Sequence, residues 1–420
     1  MIDPRKKKNV SIVLGGTNPH RALIKNLKNR GYYTILVDHL ESPPAKEYAD
    51  YHIQESTLEQ DKVLELAKRQ KAILVISACV DQAHVTACYV GEKLGLPIPY
   101  SYQTALKISD KTTMKESMNE AKIPTSNYVI IKEGEIIDLG NLRFPLVVKP
   151  SDSNGSKGVR KAEDKESLDK YLAAALKISR NKKAVVEEFM SGVEIGVDCF
   201  IAEGVAHILM LRKRIVPKLA DGSVISSIGS ITPVDISKEA KRNIQNIANR
   251  IAKTFKLNNS ALLLQVIVDG DDVKVVEFAP RIGGGLNFAT VQQATGFDII
   301  DAAVSSYLGV KVKPVYSNQE NYYYAIIHLY TQPGIFGKVN GYKELLNQSI
   351  IEGFYQNKVR GTSILPGKAS KDRAASFIVK GKTFESIIEH AQTTLNTIMV
   401  LDINGHELKH LDIYDKLLFV

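Results

Sequence analysis

Residues 145–158 read PLVVKPSDSNGSKG, a run of apolar residues that ends at a lysine and continues into a loop of small residues. Lys149 closes the apolar run, and Gly155, Ser156 and Gly158 belong to the loop. Glycines let backbone N–H groups approach phosphate oxygens, and a lysine at a strand end adds a positive charge beside them. The loop lacks the Walker A spacing Gly-x-x-x-x-Gly-Lys-Ser/Thr, and alone it also fits a solvated turn. Its interpretation therefore depends on the segments on either side.

Alternating strands and helices precede this loop. Short apolar runs at 10–14, 32–37 and 72–76 are separated by segments with helical spacing of apolar residues. This alternation predicts a parallel sheet covered by helices. Ligands of such sheets bind at the carboxyl ends of the strands, which here are residues 15–20, 38 and 79–81.

An acidic segment with a strand–turn–strand pattern follows the loop and reads VEEFMSGVEIGVD at residues 186–198. In a ligand pocket, the backbone of residues 188–190 would bind a flat base, and a carboxylate such as Glu194 would bind sugar hydroxyls. The same acids also fit the solvated edge of a sheet. The segment alone does not decide between the two interpretations.

Two further polar residues lie on β-rich runs that flank the turn at 269–272. The Asp-Gly pair in this turn predicts a hairpin, which would bring Gln265 and Glu277 onto adjacent strands. Both oxygens would then converge on one hard cation such as Mg²⁺, which needs only one or two protein ligands. Arg281 follows directly, with a fork geometry suited to phosphate or carboxylate. A surface ion pair is the alternative interpretation of these acidic and basic residues.

Composition narrows the classes of function. A chain of 420 residues with 44% apolar and 24% charged residues predicts two or three soluble domains. Three unevenly spaced cysteines predict no disulfide framework, and no apolar run reaches the length of a membrane helix. We therefore expect a cytoplasmic protein without a membrane partner. The net charge of +9 is dispersed, which predicts no nucleic-acid partner and leaves small phosphate-bearing ligands.

Two competing motifs are weaker. The segment 406–410 matches the zinc-protease pattern His-Glu-x-x-His, but the Asn-Gly pair at 404–405 predicts a hairpin turn there instead of a helix. Asp38 lies about twenty residues past the glycines at 15–16, as in dinucleotide folds. However, the spacing Gly-x-Gly-x-x-Gly is absent, and Pro19 stands where the helix should begin. We predict neither a zinc site nor a nicotinamide site.

The order of the remaining segments resembles the ATP-grasp superfamily. Five motifs occur in the family's order within residues 10–310: Asp110-Lys111, Val148-Lys149-Pro150, the Gly-Ser loop, Glu-Glu-Phe with Gly-x-Glu, and Glu-Phe-Ala-Pro-Arg-Ile-Gly-Gly-Gly. The segment Gly334–Tyr342, with Gly361 and Asp372-Arg373, more loosely resembles the C-terminal domain of bacilysin-type L-amino-acid ligases. The resemblance extends to carboxylate–amine ligases similar to carbamoyl-phosphate synthase.

The resemblance implies an α/β fold with the ATP-grasp architecture. It implies three parts, namely a Rossmann-like domain at 1–108, a two-lobed ATP-grasp domain at 109–310 with a lid at about 125–190, and a β-rich α+β domain at 311–420. It also implies ATP as cofactor with Mg²⁺, or with Mn²⁺ in its place.

Roles for individual residues follow from the same resemblance. The nucleotide would be bound by Lys111, Lys149, Gly155, Ser156, Gly158, Glu187, Glu188, Phe189, Met190 and Glu194. Glu277 and Gln265 would bind the metal, and Arg281 and Lys213 would be the catalytic cations; the segment around Lys213 fits a solvated strand edge equally well. Most family members carry Glu or Asp where Gln265 stands, and many carry Asn where Ala279 stands. The uncharged Gln265 predicts weaker metal binding or fewer metal ions.

The implied activity is an ATP-dependent carboxylate–amine ligase that forms an amide through an acyl phosphate. Its partners would be a small-molecule carboxylate, such as an amino acid, and an amine, in a chain that forms a homodimer. The alternatives are an ATP-binding protein without turnover, and a carboxylase or formyl-transferring enzyme of the purine or carbamoyl-phosphate type. Topology alone suggests substrate-side residues, namely His20, Asp38, Asp81, His84 and Asn287.

Overall fold

The computed structural model describes residues 9–153, 155, 157–216, 227–317, 321–365, 372–409 and 413–414. Its N-terminal part is a four-stranded parallel sheet in the order β3-β2-β1-β4. The strands are Val10–Leu14 (β1), Tyr33–Asp38 (β2), Tyr51–Gln54 (β3) and Leu74–Ile76 (β4). The accompanying helices are Asn18–Asn29 (α1), Gln60–Gln70 (α2) and Asp81–Leu94 (α3). The predicted parallel α/β sheet is confirmed.

Two short helices lead from this sheet into the rest of the chain, Tyr102–Ser109 (α4) and Lys111–Glu120 (α5). Asp110 caps α5, because its Oδ1 accepts hydrogen bonds from the backbone N–H groups of Thr112 and Thr113 at 2.8 and 3.2 Å. The cap places Lys111 at the first position of the helix.

A small antiparallel sheet follows, in the order β5-β8-β6-β7. Its strands are Tyr128–Lys132 (β5), Leu146–Pro150 (β6), Arg160–Ala162 (β7) and Lys183–Glu188 (β8). Helix Lys165–Ile178 (α6) packs its apolar residues Leu168, Leu172 and Ala175 against β6 and β8.

The largest element is an eight-stranded antiparallel sheet, ordered β13-β12-β9-β10-β11-β14-β18-β16. In chain order its strands are Val193–Ala202 (β9), Val205–Ile215 (β10), Gly229–Thr232 (β11), Ser260–Asp269 (β12), Asp272–Ala279 (β13), Tyr323–Tyr330 (β14), Gly353–Gln356 (β16) and Arg373–Gly381 (β18). One face packs on the long helix Lys238–Thr254 (α7), whose Ile244 and Ile251 share a core with Ile195 and Val197. Helices Asn287–Thr295 (α8) and Ile299–Tyr307 (α9) follow β13.

The C-terminal part extends this sheet and does not form a separate central one, because β14 pairs with β11 across the division expected at residue 310. It adds a three-stranded sheet of Gly334–Asn340 (β15), Ser363–Ile364 (β17) and Met399–Asp402 (β19), with helices Tyr342–Asn347 (α10) and Phe384–Thr397 (α11). The described part of the zinc-protease-like segment, 406–409, follows a turn at 403–404 and forms isolated antiparallel bridges through Glu407 and Lys409. The Asp402 carboxylate accepts the His406 backbone N–H at 2.8 Å. His410 lies outside the described residues. Within the described ranges, no helix combines the length and apolar character needed to cross a bilayer.

Candidate active site

Polar side chains occupy one face of the central sheet. Residues that pair directly in antiparallel strands share a face, and Gly196 on β9 pairs with Arg212 on β10 and with Gln265 on β12. Gln265 in turn pairs with Glu277 on β13, after a register shift between Gln265 and Val266, so the predicted hairpin is confirmed. The same face carries Glu194, two residues before Gly196.

The register corrects the assignment of the cation on β10. Lys213 pairs with Ile195 and Ile231, two buried apolar residues, and therefore lies on the sheet face opposite to the polar one. Its neighbours Arg212 and Arg214 lie on the polar face. Arg214 thus replaces Lys213 as the candidate cation of this strand.

A cleft brings five of the predicted residues together. Lys111, Gln265, Glu277 and Arg281 line it together with Asp81, from the start of α3. The other lining residues are Ile108, Ser109, Met114, Leu263, Phe278 and Ala279. The cleft therefore lies between the N-terminal parallel sheet, α4 and α5, and the β12–β13 hairpin.

Arg214 contacts two residues that were predicted to bind ligands, one the ribose and the other the metal ion. It forms an ion pair with Glu194, the predicted ribose ligand, and its Nη1 donates to Gln265 Oε1 at 3.2 Å. Gln265 thus shares its oxygen with a guanidinium, which leaves the Glu277 carboxylate as the charged oxygen donor for a cation. Among the described residues, no group of three or more His, Cys, Asp or Glu side chains gathers as a metal site. Glu277 with Gln265 fits an ion such as Mg²⁺ that takes its remaining ligands from phosphates and water.

Lys149 belongs to a buried network of charges. Both Lys149 and Lys115 form ion pairs with Glu187, whose side chain is 2% exposed. Lys115 Nζ also donates to Thr125 and Ser126 at 2.8 and 2.7 Å, and the Ser126 hydroxyl donates to Glu187 at 2.8 Å. The predicted nucleotide ligand Glu187 therefore has its side chain occupied, and its backbone lies in a strand that pairs with β5 and β6.

The pKa values in this network show, for each group, whether burial or the neighbouring charges have the larger effect. Burial alone would raise the pKa of Glu187, but Lys149 and Lys115 outweigh burial and lower it to about 2. Burial alone would lower the pKa of Lys149, but Glu187 raises it, with further contributions from Glu277 and Glu194. For Lys115 burial prevails and the pKa falls. Lys149 is thus a stable cation beside the carboxylates of the polar face.

Arg281 is held from across the cleft. Its Nε donates to Asp81 Oδ1 at 2.5 Å, its Nη2 to Asp81 Oδ2 at 3.0 Å, and its Nη1 to the Ile282 carbonyl at 2.9 Å. Burial would raise the pKa of Asp81, but the Arg281 guanidinium lowers it. Burial likewise disfavours the charged form of Arg281, and Asp81 overcomes this and raises its pKa. The predicted catalytic arginine is therefore fixed in a two-pronged ion pair.

The glycine loop contacts the start of α5. The Lys111 ammonium donates to the Ser153 carbonyl, and the Lys111 backbone N–H donates to the Ser151 carbonyl at 2.9 Å. Gly155 and Gly158 have φ angles of 62° and 79°, in the left-handed region that favours glycine. Ser156 lies outside the described residues.

The predicted base-binding segment follows β8 at the rim of the small sheet. The Phe189 backbone N–H donates to the Pro145 carbonyl at 2.9 Å, and the Glu188 carboxylate accepts from Asn127 at 2.8 Å. The Phe189 ring is 47% exposed, with Lys161 Nζ 4.4 Å from its centre. These contacts fix the chain direction up to Met190 and leave an exposed aromatic surface beside it.

Sequence reasoning missed several residues of the site. Lys115 lies one turn after Lys111 on α5, and this i,i+4 spacing was the signal that would have suggested it. Asp198 accepts hydrogen bonds from Arg212 Nε at 2.8 Å and from Asn287 at 3.1 Å, which ties β9 and β10 to α8. Asn287 was suggested by topology, but its side chain is used inside the protein.

Comparisons with known proteins agree with this arrangement. Residues 142–289 match the family model described as an ATP-grasp domain. The C-terminal section of the carbamoyl phosphate synthase large chain of Aquifex aeolicus is 23% identical over 300 residues, covering 69% of this chain and 54% of that protein. The D-alanine–D-alanine ligase of Flavobacterium psychrophilum is 25% identical over 187 residues, covering 42% and 56%. The chain spans between 27% and 56% of the length of such curated relatives.

Solved structures share the whole fold. The L-amino acid ligase from Bacillus licheniformis superposes with a TM-score of 0.77 at 18% identity, covering 94% of this chain and 99% of that one. The biotin carboxylase domain of the Hydrogenobacter thermophilus 2-oxoglutarate carboxylase, a dimer in complex with Mg-ADP and bicarbonate, gives 0.74 at 16% identity and covers 96% and 91%. The expected architecture is confirmed as a fold, and the family match at residues 142–289 is to an ATP-grasp domain.

Proposed function

We propose that this chain is an ATP-dependent ligase that activates a small carboxylate as an acyl phosphate and joins it to an amine, with release of ADP and phosphate. The observation that supports the proposal most is the convergence of Lys111, Glu277 and Arg281 on one cleft. Lys149 stands beside the same carboxylates. Such a site offers several cations and one charged metal ligand, which is what transfer of a phosphoryl group requires.

In the first step, a carboxylate oxygen of the substrate attacks the γ-phosphorus of ATP, and the bond to the bridging oxygen of ADP breaks. Lys111 and Lys149 bind the phosphates, and the Gly155–Gly158 loop closes over them. Glu277, with Gln265, would hold Mg²⁺, and the ion would offset negative charge on the phosphate oxygens. Arg214 and Arg281 supply positive charge to the transferring group and to the acyl phosphate.

In the second step, the amine nitrogen attacks the acyl carbon and the carbon–oxygen bond to phosphate breaks. The proton left on nitrogen passes to the departing phosphate. The residues around Arg281 hold the acyl phosphate and keep water out, because hydrolysis would waste it. The base of the nucleotide lies against residues 188–190. Glu194 binds the ribose after it gives up its ion pair with Arg214.

Two other functions compete with this proposal. The contact of Gln265 with Arg214 favours an ATP-binding protein without turnover, because an amide replaces a charged metal ligand. Bicarbonate as the carboxylate is the other candidate, since a protein of the same fold binds it. The specific carboxylate and amine belong to the proposal as classes only.

A phosphate- and ADP-release screen with Mg-ATP over pairs of carboxylates and amines tests the proposal. Hydroxylamine added in place of the amine traps the acyl phosphate as a hydroxamate, and labelled bicarbonate reveals carboxylation. Arg281→Ala is expected to abolish carboxylate-dependent ADP release while ADP binding persists; Arg242→Ala, on an exposed part of α7, is the matched control. If the protein binds ADP but releases no phosphate from ATP with any pair of substrates, the ligase is contradicted and an ATP-binding protein without turnover is supported.

A further inference from the structure

A small recess opens beside the Arg281–Asp81 ion pair. It shares Asp81, Ile108, Ser109 and Arg281 with the cleft and adds His84 and Tyr100 to its lining. Asp81 therefore stands at the junction of two spaces, the cleft proposed for ATP and the recess. A ligand in the recess lies within reach of the carboxylate that holds the catalytic arginine.

The recess has the character of a site for a cationic nitrogen. Its charged groups are Asp81 and Arg281, which pair with each other, so a cationic ligand entering the recess has Asp81 as its carboxylate partner. His84 is 5% exposed, its Nδ1 contacts the Tyr307 hydroxyl at 2.8 Å, and its Nε2 has no hydrogen-bond partner. Burial and the nearby Arg281 lower the pKa of His84 to about 4, so its imidazole is neutral at pH 7. A carboxylate accepts from an ammonium group, and the neutral imidazole does so through Nε2 in the tautomer whose proton is on Nδ1.

The same geometry constrains Arg281. The Nε–Nη2 edge of its guanidinium donates to Asp81, and Nη1 donates to a backbone carbonyl. A phosphate can receive a two-pronged interaction from the Nε–Nη2 edge only after Asp81 releases it. A cation that takes over Asp81 would supply that release, because it provides the carboxylate with a new partner.

We propose that Asp81 receives the ammonium group of the amine substrate, and that this exchange frees Arg281 for the acyl phosphate. The inference rests on the proposed ligase function and adds an order to it: activation of the carboxylate is promoted by the presence of the amine. The bound ammonium loses one proton to solvent before it attacks, and the second passes to the departing phosphate. The ion pair thus limits loss of acyl phosphate to water when no amine is present.

The test measures coupling between an amine and an anion in wild type and Asp81→Asn, a variant that keeps the shape of the side chain but not its charge. Inorganic phosphate is titrated calorimetrically into the protein saturated with Mg-ADP, with and without glycinamide, a primary amine lacking a carboxylate. Wild type is expected to bind phosphate about tenfold more tightly with glycinamide, a typical coupling between two sites. In Asp81→Asn the coupling should disappear, while Asp61→Asn, on α2 of the same sheet, should keep it.

Turnover gives the second readout. Wild type is expected to release ADP slowly with the carboxylate alone and faster with the amine, and Asp81→Asn should raise the amine-independent rate and the KM for the amine. Coupling that is absent in wild type, or equal in Asp81→Asn, overturns the inference. Coupling without ADP release from any pair supports the exchange at Asp81 and instead refutes the ligase. A loss of both rates by the same factor, with normal thermal unfolding, assigns Asp81 only a positioning role and overturns the exchange.

Discussion

Replacing Lys115 by methionine tests the buried network beneath the nucleotide site. Lys115 is 1% exposed, and methionine is similar in length and flexible, so the change removes charge while leaving little empty volume. The variant loses the ion pair with Glu187 and the hydrogen bonds to Thr125 and Ser126. Glu187 keeps Lys149 and the Ser126 hydroxyl as partners. The network is therefore weakened without leaving the carboxylate isolated.

Two estimates set an upper limit on the loss of stability. Removing one member of a buried ion pair costs about 3–5 kcal/mol when the other is left unpaired. A fall in the pKa of Glu187 from 4.5 to about 2 corresponds to about 3 kcal/mol, to which both lysines contribute. Since Glu187 retains Lys149 in Lys115→Met, we expect a loss of about 2 kcal/mol.

Urea unfolding of wild type and Lys115→Met measures this difference, with Lys107→Met on the exposed side of α4 as the matched control. The depressed pKa of Glu187 means that its stabilisation is present above pH 4.5 and is lost as the pH falls towards about 2. The difference between the two proteins should therefore shrink over that range. Without Lys115, Glu187 pairs more fully with Lys149, so affinity for ADP should fall about tenfold, or about 1.4 kcal/mol. Unchanged unfolding at pH 7 together with unchanged ADP affinity would refute the reasoning.

The other predictions concern single positions of the cleft. Gln265→Glu places a second carboxylate beside Glu277 and should raise the affinity of the ADP complex for Mn²⁺ about tenfold by calorimetry; an unchanged affinity contradicts the pairing of these side chains. Arg214→Gln should lower kcat about 100-fold, whereas Lys213→Gln, on the opposite face, should leave it within about twofold; equal effects in steady-state assays would disprove the strand register. Gly158→Ala should lower the free energy of unfolding by about 1 kcal/mol or more, because the φ of Gly158 is 79° and the added Cβ would lie 2.7 Å from Ile178. Unaltered denaturant unfolding would contradict this conformation of the loop.

The parts of the fold that local patterns control were accessible from the sequence. The Asp-Gly turn predicted the hairpin that carries Gln265 and Glu277, because a short loop between two β-rich runs joins adjacent antiparallel strands. Their direct pairing was not accessible from the turn, since it depends on a register shift between Gln265 and Val266. The parallel sheet followed from apolar runs alternating with helical periods. The objection raised by Pro19 was wrong, because α1 begins at Asn18 and a proline in the first helical turn gives up no hydrogen bond.

The choice between Lys213 and Arg214 could not be made from the sequence. Successive residues of a strand point to opposite faces of the sheet. A single extra residue therefore reverses the face on which every later residue lies. β10 has such a register shift between Ile208 and Met210, opposite Asp198 and Cys199 of β9. A bulge of this kind has no local signature here. The pairing of Lys115 with Glu187 was inaccessible for a different reason, since it joins a helix to a strand far along the chain.

Apart from Lys111, the cations described at and near the cleft are held in ion pairs, and in the proposed function this arrangement would let one site serve several anions in turn. Four cation–carboxylate pairs surround it, namely Arg281–Asp81, Lys149–Glu187, Arg214–Glu194 and Arg212–Asp198. The paired state avoids repulsion between clustered positive charges and fixes long side chains before a ligand arrives, which reduces the entropy lost on binding. A phosphate must compete with a carboxylate for each paired cation. The strength of each ion pair therefore determines which cations can leave their carboxylate and bind phosphate. The most buried pairs, at Glu187 and Asp198, are suited to scaffolding, whereas the more exposed pairs at Asp81 and Glu194 are suited to exchange during a reaction.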